Sequence, residues 1–401
     1  MTRYWSVIPL LLLLAGCGGG GSGGSVSSDP CGNDIGNGAS VISGPSAPDG
    51  LNNFDSPFRS LIVHPDDAQI LYVGTEENGI LRSRDGGASW ERLRVGLRHS
   101  STAYPEVYDL AISASNPDIL FAATTMGPGL PTGSAAPADG GVYRSEDGGD
   151  TWIRKNCGLP NASVSAVYVS PTDPMVALVG LGAGDSTLAG SSTFFPGGVF
   201  RTSDGGDNWS RVTLGSLDEQ NIFYQLLARG NTDVYSFGLG HDDLDENLGL
   251  YRSADNGLSW SPIATPFSND RIAYFTVSSD GLRIIANELD GFELQVSENG
   301  GATWNTSTVV SANGPVRISP HDRDLIVIAA NENLWVSDNG LTSANLRASA
   351  GDFFQDIEFA LSDANTIYAV TRGYHLYRST DGGMSFQFVI DLRAQVINVM
   401  P

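Results

Sequence analysis

The sequence predicts an all-β protein, a single seven-bladed β-propeller of four-stranded blades that spans residues 57–401. One short motif of the form Ser-x-Asp-Gly-Gly-x-Thr-Trp occurs seven times, and its successive Asp or Asn positions lie 62, 57, 51, 44, 40 and 42 residues apart. That spacing is close to the length of one propeller blade. Short alternating β-favouring runs flank each copy, the chain contains 49 glycines, and no long segment has helical periodicity. Because blades bury their faces against one another, all seven are expected to form one domain.

Each copy of the motif is predicted to turn the chain between the third and fourth strands of a blade. The Asp or Asn side chain bonds to nearby backbone, and glycine supplies the positive φ angles of a tight turn. We therefore interpret the recurring carboxylates as turn formers and not as catalytic groups. The sixth copy lacks the second glycine and the terminal Trp, which puts its hairpin in doubt. The Asp or Asn positions are Asp85, Asp147, Asp204, Asp255, Asn299, Asn339 and Asp381.

These repeats resemble the Asp-box, or BNR, repeat family. Its members include sialidases, xyloglucan-hydrolysing enzymes, sortilin-type receptor propellers and photosystem II assembly factors. The resemblance implies Asp-box hairpins between strands C and D, on the blade periphery and away from any active centre. It therefore favours the fold and says little about chemistry. The xyloglucan-hydrolysing members are similar to two propellers flanking a cleft, whereas this chain has residues for one.

The innermost strand of each blade, strand A, supplies the candidate catalytic residues. One set of alternating positions is apolar, and the other set contains Asp109, Asp356, Glu358 and Arg317. Since strand A borders the central channel of a propeller, we expect these side chains there. Glycoside hydrolysis needs two carboxylates, one often with a raised pKa. The alternative is a solvated channel lining with an Arg317–Glu358 ion pair.

Sialidase chemistry is disfavoured. Gripping an anionic sugar requires converging arginines, and five arginines share one strand-C position, so the repeat itself explains them. The early Arg motif of sialidases is matched only partly by the stretch Phe58-Arg59-Ser60-Leu61. The five arginines are Arg82, Arg144, Arg201, Arg252 and Arg378.

Three long insertions fall between strands B and C, at residues 126–139, 182–197 and 241–247. Loops on a rigid scaffold commonly carry binding residues. We expect the insertions to gather on the face opposite the repeat motifs, where Phe194, Phe195, Met126 and His241 would form a patch for a protein or glycan. The alternatives are harmless loop growth and folding of the two phenylalanines back onto the blade.

No cofactor is expected from the sequence. The acidic stretch containing Asp242, Asp243 and Asp245 offers oxygen ligands of the kind that Ca²⁺ prefers, but without the spacing of an EF-hand loop. A solvated acidic loop is the favoured interpretation. The His and Cys residues lack zinc-ligand spacing.

The first residues of the chain resemble a bacterial lipoprotein signal. Residues 1–16 carry a basic start and an apolar run that is too short to span a bilayer, and Cys17 follows Leu-Ala-Gly. The resemblance implies cleavage, lipidation at Cys17 and an outer-membrane destination, because Gly18 is not the Asp associated with inner-membrane retention. Residues 17–56 form a Gly/Ser-rich tether. An exported setting favours a Cys31–Cys157 disulfide, with two free thiols as the alternative.

The formal charge of −23 disfavours nucleic acid and anionic membrane surfaces as partners. We expect the membrane to be contacted through the lipid anchor only. Without a coherent catalytic set, the sequence favours a lipid-anchored, non-enzymatic propeller that binds a protein or glycan in the cell envelope. The alternative is a glycoside hydrolase, sialidase-like or xyloglucanase-like, or a lyase, that uses carboxylates at the channel mouth.

The anchor assignment predicts that Cys17→Ala moves the protein from the membrane fraction to the soluble fraction. Acyl chains supply apolar burial in the bilayer that an acidic propeller surface lacks. Fractionation of cells producing the wild-type and variant chains measures this, and unchanged membrane partition in the variant contradicts the assignment.

Overall fold

The chain folds into seven antiparallel sheets of four strands each and one added two-stranded hairpin. The computed structural model describes residues 58–76, 78–98, 104–125, 140–160, 162–182, 184–188, 191–214, 223–229, 233–239, 249–267, 272–288 and 292–392. Each sheet follows the chain order A-B-C-D, and this confirms the predicted seven-bladed all-β propeller. The described residues contain no helix long and apolar enough to cross a lipid bilayer.

The blades follow one another along the sequence. Blade one contains β1 (Phe58–Val63), β2 (Leu71–Thr75), β3 (Ile80–Ser83) and β4 (Glu91–Leu93), and blade two contains β5 (Glu106–Ile112), β6 (Leu120–Thr125), β7 (Gly141–Ser145) and β8 (Ile153–Arg154). Blade three contains β9 (Val164–Val169), β10 (Ala177–Leu181), β13 (Gly198–Thr202) and β14 (Ser210–Val212). The added hairpin of blade three consists of β11 (Gly184–Leu188) and β12 (Ser191–Phe195). Blades four and five contain β15 (Phe223–Arg229), β16 (Asp233–Leu239), β17 (Gly249–Ser253), β18 (Ser261–Ile263); and β19 (Ile272–Val277), β20 (Ile284–Glu288), β21 (Leu294–Ser297), β22 (Asn305–Ser307). Blades six and seven contain β23 (Val316–Ile318), β24 (Ile326–Ala330), β25 (Asn333–Ser337), β26 (Asn345–Ser349); and β27 (Phe354–Phe359), β28 (Ile367–Thr371), β29 (His375–Ser379), β30 (Gln387–Asp391).

The hydrophobic core lies between neighbouring blades and not within a single layer. The cluster at the junction of the last and first blades contains Leu61 and Leu71 of blade one together with Tyr368 and Leu376 of blade seven, all at most 1% exposed. The described strands of blade one come from the first part of the chain and those of blade seven from the last part, with no strand shared between the two sheets. Side-chain packing therefore joins these blades across the junction. Residues 396–400, which resemble an additional strand A, lie outside the described residues.

The repeat motif forms a tight network of side-chain hydrogen bonds, as the second copy illustrates. Asp147 Oδ1 accepts hydrogen bonds from the Ser145 hydroxyl and the Thr151 amide, each at 2.8 Å, and Oδ2 accepts the Thr151 hydroxyl at 2.6 Å. The buried Ser145 Oγ in turn accepts the amide of Gly149 at 2.8 Å. Partial burial would raise the pKa of Asp147, but the hydrogen bonds from Thr151 and Ser145 outweigh it and hold that pKa below its usual value. These carboxylates are turn formers.

The sixth copy folds in the same way, so the doubt about its hairpin was misplaced. Asn339 Oδ1 accepts the hydroxyl of Ser337 at 3.1 Å and the amide of Ser343 at 3.0 Å. Leu341 occupies the position of the second glycine with φ of 67°, a conformation that costs energy for a side-chain residue. Its side chain is 7% exposed and packs in the core between blades five and six, which offsets that cost.

Two of the five strand-C arginines connect their blade to the next one. The buried Arg82 of blade one donates to the Gly148 carbonyl at 2.7 Å and pairs with Asp150 at 2.6 Å, both in the motif of blade two. Arg201 of blade three donates to the Asn256 carbonyl in blade four at 2.9 Å. Arg82 and Arg201 therefore hold neighbouring blades together, whereas Arg252 pairs with Asp233 of its own blade at 2.8 Å. The three arginines have separate partners and do not converge on one anionic ligand.

The blade-three insertion is a β-hairpin and not the irregular loop expected from its Gly, Ser and Pro content. Strands β11 and β12 pair from Gly184 with Phe195 to Leu188 with Ser191, so two residues connect them. Thr and Phe residues favour this extended pairing over an irregular loop.

Cys157 follows blade two and is disulfide-bonded. Its partner lies outside the described residues, so the pairing with Cys31 remains a prediction. The amide of Trp209 in blade three donates to the Cys157 carbonyl at 2.9 Å, which places this cysteine at the junction of blades two and three.

The motif network predicts different outcomes for two substitutions of Asp147. Asp147→Ala should lower the free energy of unfolding by about 1 kcal/mol at neutral pH, because the half-buried Ser145 hydroxyl and the exposed Thr151 amide and hydroxyl lose their acceptor. Asp147→Asn should cost less, since Asn299 and Asn339 already perform this role in the chain.

The pH dependence provides the control for this prediction. A carboxylate whose folded pKa is lowered stabilises the fold above its unfolded pKa, and that stabilisation is lost as the pH falls through the folded value. The advantage of wild type over Asp147→Asn should therefore shrink as the pH falls below the ordinary aspartate pKa of about 4. Urea titrations of both proteins at neutral and acidic pH measure this difference in the free energy of unfolding. A difference that is the same at both pH values contradicts the proposed hydrogen-bond network of Asp147.

Candidate functional site

The described residues form a central channel with a volume of about 600 Å³. Strand A of every blade borders it, and its wall contains the four polar candidates of these strands together with apolar residues from the other alternating positions, such as Leu61 and Leu110. Ligand pockets in proteins commonly have volumes of this size. The polar residues in its wall are Arg59, Ser60, Tyr108, Asp109, Ser165, Tyr168, Tyr274, Ser279, Arg317, Gln355, Asp356 and Glu358.

Two of the predicted carboxylates connect the A strands of adjacent blades. Asp109 in blade two accepts the Val167 amide of blade three at 2.9 Å, besides the amide of its own neighbour Leu110 at 2.9 Å. Asp356 in blade seven accepts the Leu61 amide of blade one at 3.1 Å. Each aspartate follows a register shift in its strand, after Val107 and Phe354 respectively, which turns its side chain toward the next blade.

Arg317 places a positive charge beside two of the channel carboxylates, Asp356 and Glu358. Its guanidinium lies 2.8 Å from Asp356 Oδ1 and 3.8 Å from Glu358 Oε1. Its side chain is 14% exposed and that of Asp356 13%, whereas Glu358 is 34% exposed. The expected Arg317–Glu358 pair is therefore present, but Asp356 is the closer partner. The structure thus brings the four sequence-predicted channel residues together, with Asp109 coupled electrostatically to both Asp356 and Arg317.

The channel wall shifts the pKa of its aspartates upward. Burial raises the pKa of Asp109 to about 7, and the negative charge of Asp356 adds to this, while the two backbone amides and Arg317 oppose it. Burial also raises the pKa of Asp356, against the opposing effect of the Arg317 charge. At neutral pH Asp109 is therefore divided between an acid that can donate a proton and a base that can accept one.

The raised pKa of Asp109 has a cost in stability. The folded state binds this proton more tightly than the unfolded chain, whose aspartates ionise near pH 4. The contribution of Asp109 to stability consequently falls as the pH rises from about 4 to about 7. Groups that are kept in an unfavourable protonation state commonly mark functional sites.

One mouth of the channel contains a second charged cluster that the sequence interpretation missed. Arg59 lies 3.0 Å from Glu76 and 2.6 Å from Glu106, and its guanidinium stands 5.5 Å from the Tyr108 ring centre. Burial raises the pKa of Glu106, and the charge of Glu76 adds to the shift. Glu76 follows strand B, and Glu106 begins strand A of the next blade. Sequence spacing does not show which strand ends of neighbouring blades meet. The proximity of Glu76 and Glu106 therefore could not be predicted from the sequence.

The remaining candidates fall wholly or partly outside the described residues. Phe194 and Phe195 lie on β12, and their side chains are outside the described part of the structure, as are Met126, His241, Asp242, Asp243, Asp245, Cys17 and Cys31. Among the described residues, no group of three His, Cys, Asp or Glu side chains could hold a metal ion.

Comparison with known proteins gives relatives of one named activity. The chain is 32% identical over 301 residues to a xyloglucanase of Acetivibrio thermocellus, covering 70% of this chain and 33% of the relative. It is 27% identical over 215 residues to an oligoxyloglucan-reducing end-specific xyloglucanase of Emericella nidulans, covering 44% of this chain and 26% of the relative. The chain thus spans between a fifth and a third of the length of the curated relatives it matches. No family model matches it.

Solved structures share the fold at lower identity. The GH74 xyloglucanase from Xanthomonas campestris superposes with a TM-score of 0.60 at 16% identity, covering 84% of this chain and 54% of that one. YCF48 from Cyanidioschyzon merolae superposes with a TM-score of 0.52 at 16% identity, covering 81% and 94%. These likenesses concern the propeller fold alone.

The expectation of a non-enzymatic scaffold is wrong. The relatives by sequence are named xyloglucanases, and this favours the alternative, a glycoside hydrolase. The repeat motif does not indicate whether the protein is an enzyme, because its residues serve the turns. The solvated channel lining, which was the alternative for the strand-A carboxylates, does not describe Asp109, whose burial in the channel wall raises its pKa.

The ion pair in the channel predicts unequal effects of its two acidic partners on stability. Asp356→Ala should lower the free energy of unfolding by about 3–5 kcal/mol, because it leaves Arg317 poorly compensated and the Leu61 amide without its acceptor. Glu358→Ala, at the more exposed and longer contact, should cost less than about 1 kcal/mol. Chemical denaturation of both variants measures this, and equal losses contradict the assigned pairing.

Proposed function

We propose that the chain is a glycoside hydrolase of the Asp-box repeat type that acts on a xyloglucan-like β-glucan. The observation that carries the proposal is the 32% identity to a xyloglucanase across 70% of the chain. The channel supports it, because it combines a carboxyl group with a pKa of about 7 and further carboxylates beside an arginine. Such pairs with different environments are what acid–base cleavage of a glycosidic bond requires.

Asp109 is the proposed general acid. Its proton, retained to about pH 7, passes to the glycosidic oxygen as the bond from that oxygen to the anomeric carbon breaks. A water molecule supplies the new oxygen on the anomeric carbon and gives up a proton to the second carboxylate. The leaving sugar thus gains a hydroxyl, and the acid is restored by proton exchange with solvent.

Glu358 is the proposed second carboxylate. Asp356 is less suited because it forms a close ion pair with Arg317 at 2.8 Å and its side chain is only 13% exposed. Glu358 is more exposed to the channel and has Arg317 at the longer distance of 3.8 Å. In this arrangement Arg317 and Asp356 are positioning residues that fix the charge and orientation of the site.

Release of reducing ends from xyloglucan by the full chain tests the proposal. Wild type should hydrolyse xyloglucan, while Asp109→Asn and Glu358→Gln should lower kcat by about 100-fold or more. The rate of wild type should fall on the alkaline side with a midpoint near pH 7, where Asp109 loses its proton.

Asp147→Asn is the matched control, because it makes the same chemical change in a repeat motif outside the channel. It should leave kcat unchanged. A folded wild-type chain that cleaves neither xyloglucan nor another β-glucan contradicts the proposal, and so does full activity of Asp109→Asn.

A further inference from the structure

We propose that a strip of blade seven, running from the channel mouth to the outer rim, binds the part of a neutral glycan chain that the channel does not hold. The strip consists of Gln355, Arg372, Phe353, His375 and Phe388, and we call it the blade-seven strip. This inference rests on the proposed function and adds a second binding region to it.

The inner end of the strip is continuous with the channel. Gln355 lines the cavity, and its side-chain oxygen accepts a hydrogen bond from Arg372 Nε at 3.1 Å. Arg372 is also near enough to Tyr274 in the channel wall for its charge to oppose the burial that raises the Tyr274 pKa. The Arg372 amide donates to the Phe353 carbonyl at 2.9 Å, so the backbone of Phe353 lies beside that of Arg372.

The outer end of the strip is aromatic and partly exposed. Phe353 is 44% exposed and Phe388 53%. The Phe388 ring meets the rings of His375 and Tyr377 in T-shaped contacts, each with centres 5.7 Å apart. Tyr377 in turn meets the buried Phe354 at 5.5 Å. These contacts fix the orientation of Phe388 while half of its surface remains in solvent, so little conformational entropy is lost when a ligand covers it.

The repeat does not require an aromatic residue at the Phe388 position. Phe388 pairs with Tyr377 of strand C, and the first three blades carry arginine at the same register position. Blades four to six carry Pro262, Thr306 and Leu346 there, so the residue at this position varies from blade to blade. In blade seven it is a phenylalanine that is 53% exposed and buries little in the fold. The equivalent pairs are Arg92 with Leu81, Arg154 with Tyr143 and Arg211 with Phe200.

The chemistry of the strip fits a sugar chain. Pyranose rings present apolar C–H faces that stack on aromatic rings and hydroxyls that bond to amide, guanidinium and imidazole groups. The strip alternates such groups: Gln355 and Arg372, then Phe353, then His375 and Phe388. A cavity of about 600 Å³ holds only a few sugar units, so the rest of a polymer must follow the surface outward. The net charge of −23 favours neutral over acidic chains.

Binding of xyloglucan polymer and of a short xyloglucan oligosaccharide to the full chain tests the strip. The double variant Phe353→Ala/Phe388→Ala should weaken affinity for the polymer about tenfold, since two aromatic contacts are lost. Its kcat, and its KM for an oligosaccharide short enough to fit the channel, should match wild type. Met384→Ala is the matched control: it removes a side chain that is 71% exposed in the repeat motif of the same blade, away from the strip, and should change neither.

The outcomes separate the strip from the proposed hydrolase activity. Hydrolysis by wild type with unchanged polymer affinity in the double variant overturns the strip and leaves the activity standing. Retained polymer binding to wild type, lost in the double variant, supports the strip even where no hydrolysis occurs. If the double variant instead changes the oligomeric state measured by light scattering while glycan affinity is kept, the strip is a contact between copies of this chain and the inference is overturned.

Discussion

The structure depends on how the innermost strands of adjacent blades are held together around the channel. Strands A of different blades share no continuous ladder of backbone hydrogen bonds, so side chains must satisfy amides that face the neighbouring blade. Asp109 does this for Val167, and Asp356 does it for Leu61 across the junction of the last and first blades. Because the described strands of those two blades come from opposite parts of the sequence, Asp356 and the surrounding apolar cluster hold the ring closed there.

The same constraint creates the chemistry of the channel. A carboxylate that reaches a neighbouring amide from strand A is surrounded by protein and loses hydration, which raises its pKa. Arg317 compensates Asp356 at 2.8 Å, but Asp109 is compensated only in part and keeps its proton to about pH 7. The same channel residues thus serve both ring stability and the proposed acid–base role. Substitution of Asp356 should therefore affect stability and activity together, whereas substitution of Glu358 should affect activity with little loss of stability.

The sequence was sufficient for the fold and for part of the site. Seven repeats at blade-length spacing determine the ring, because each motif can form only a tight hairpin, and strand alternation places Asp109, Arg317, Asp356 and Glu358 in the channel. Two kinds of information were missing. The tolerance of Leu341 for a positive φ depends on core packing between blades. The Arg59 cluster and the path from Gln355 to Phe388 depend on how strand ends of different blades meet, which no local pattern encodes.

The proposed acid–base role depends on Asp109 having a pKa of about 7 in the channel. Difference infrared spectroscopy of wild type against Asp109→Asn, from about pH 4 to about pH 9, measures this directly, because the protonated carboxyl has its own carbonyl stretching band. We expect one carboxyl band that is absent from the variant and is lost with a midpoint near pH 7. Loss of that band near pH 4, as for an exposed aspartate, would contradict the account.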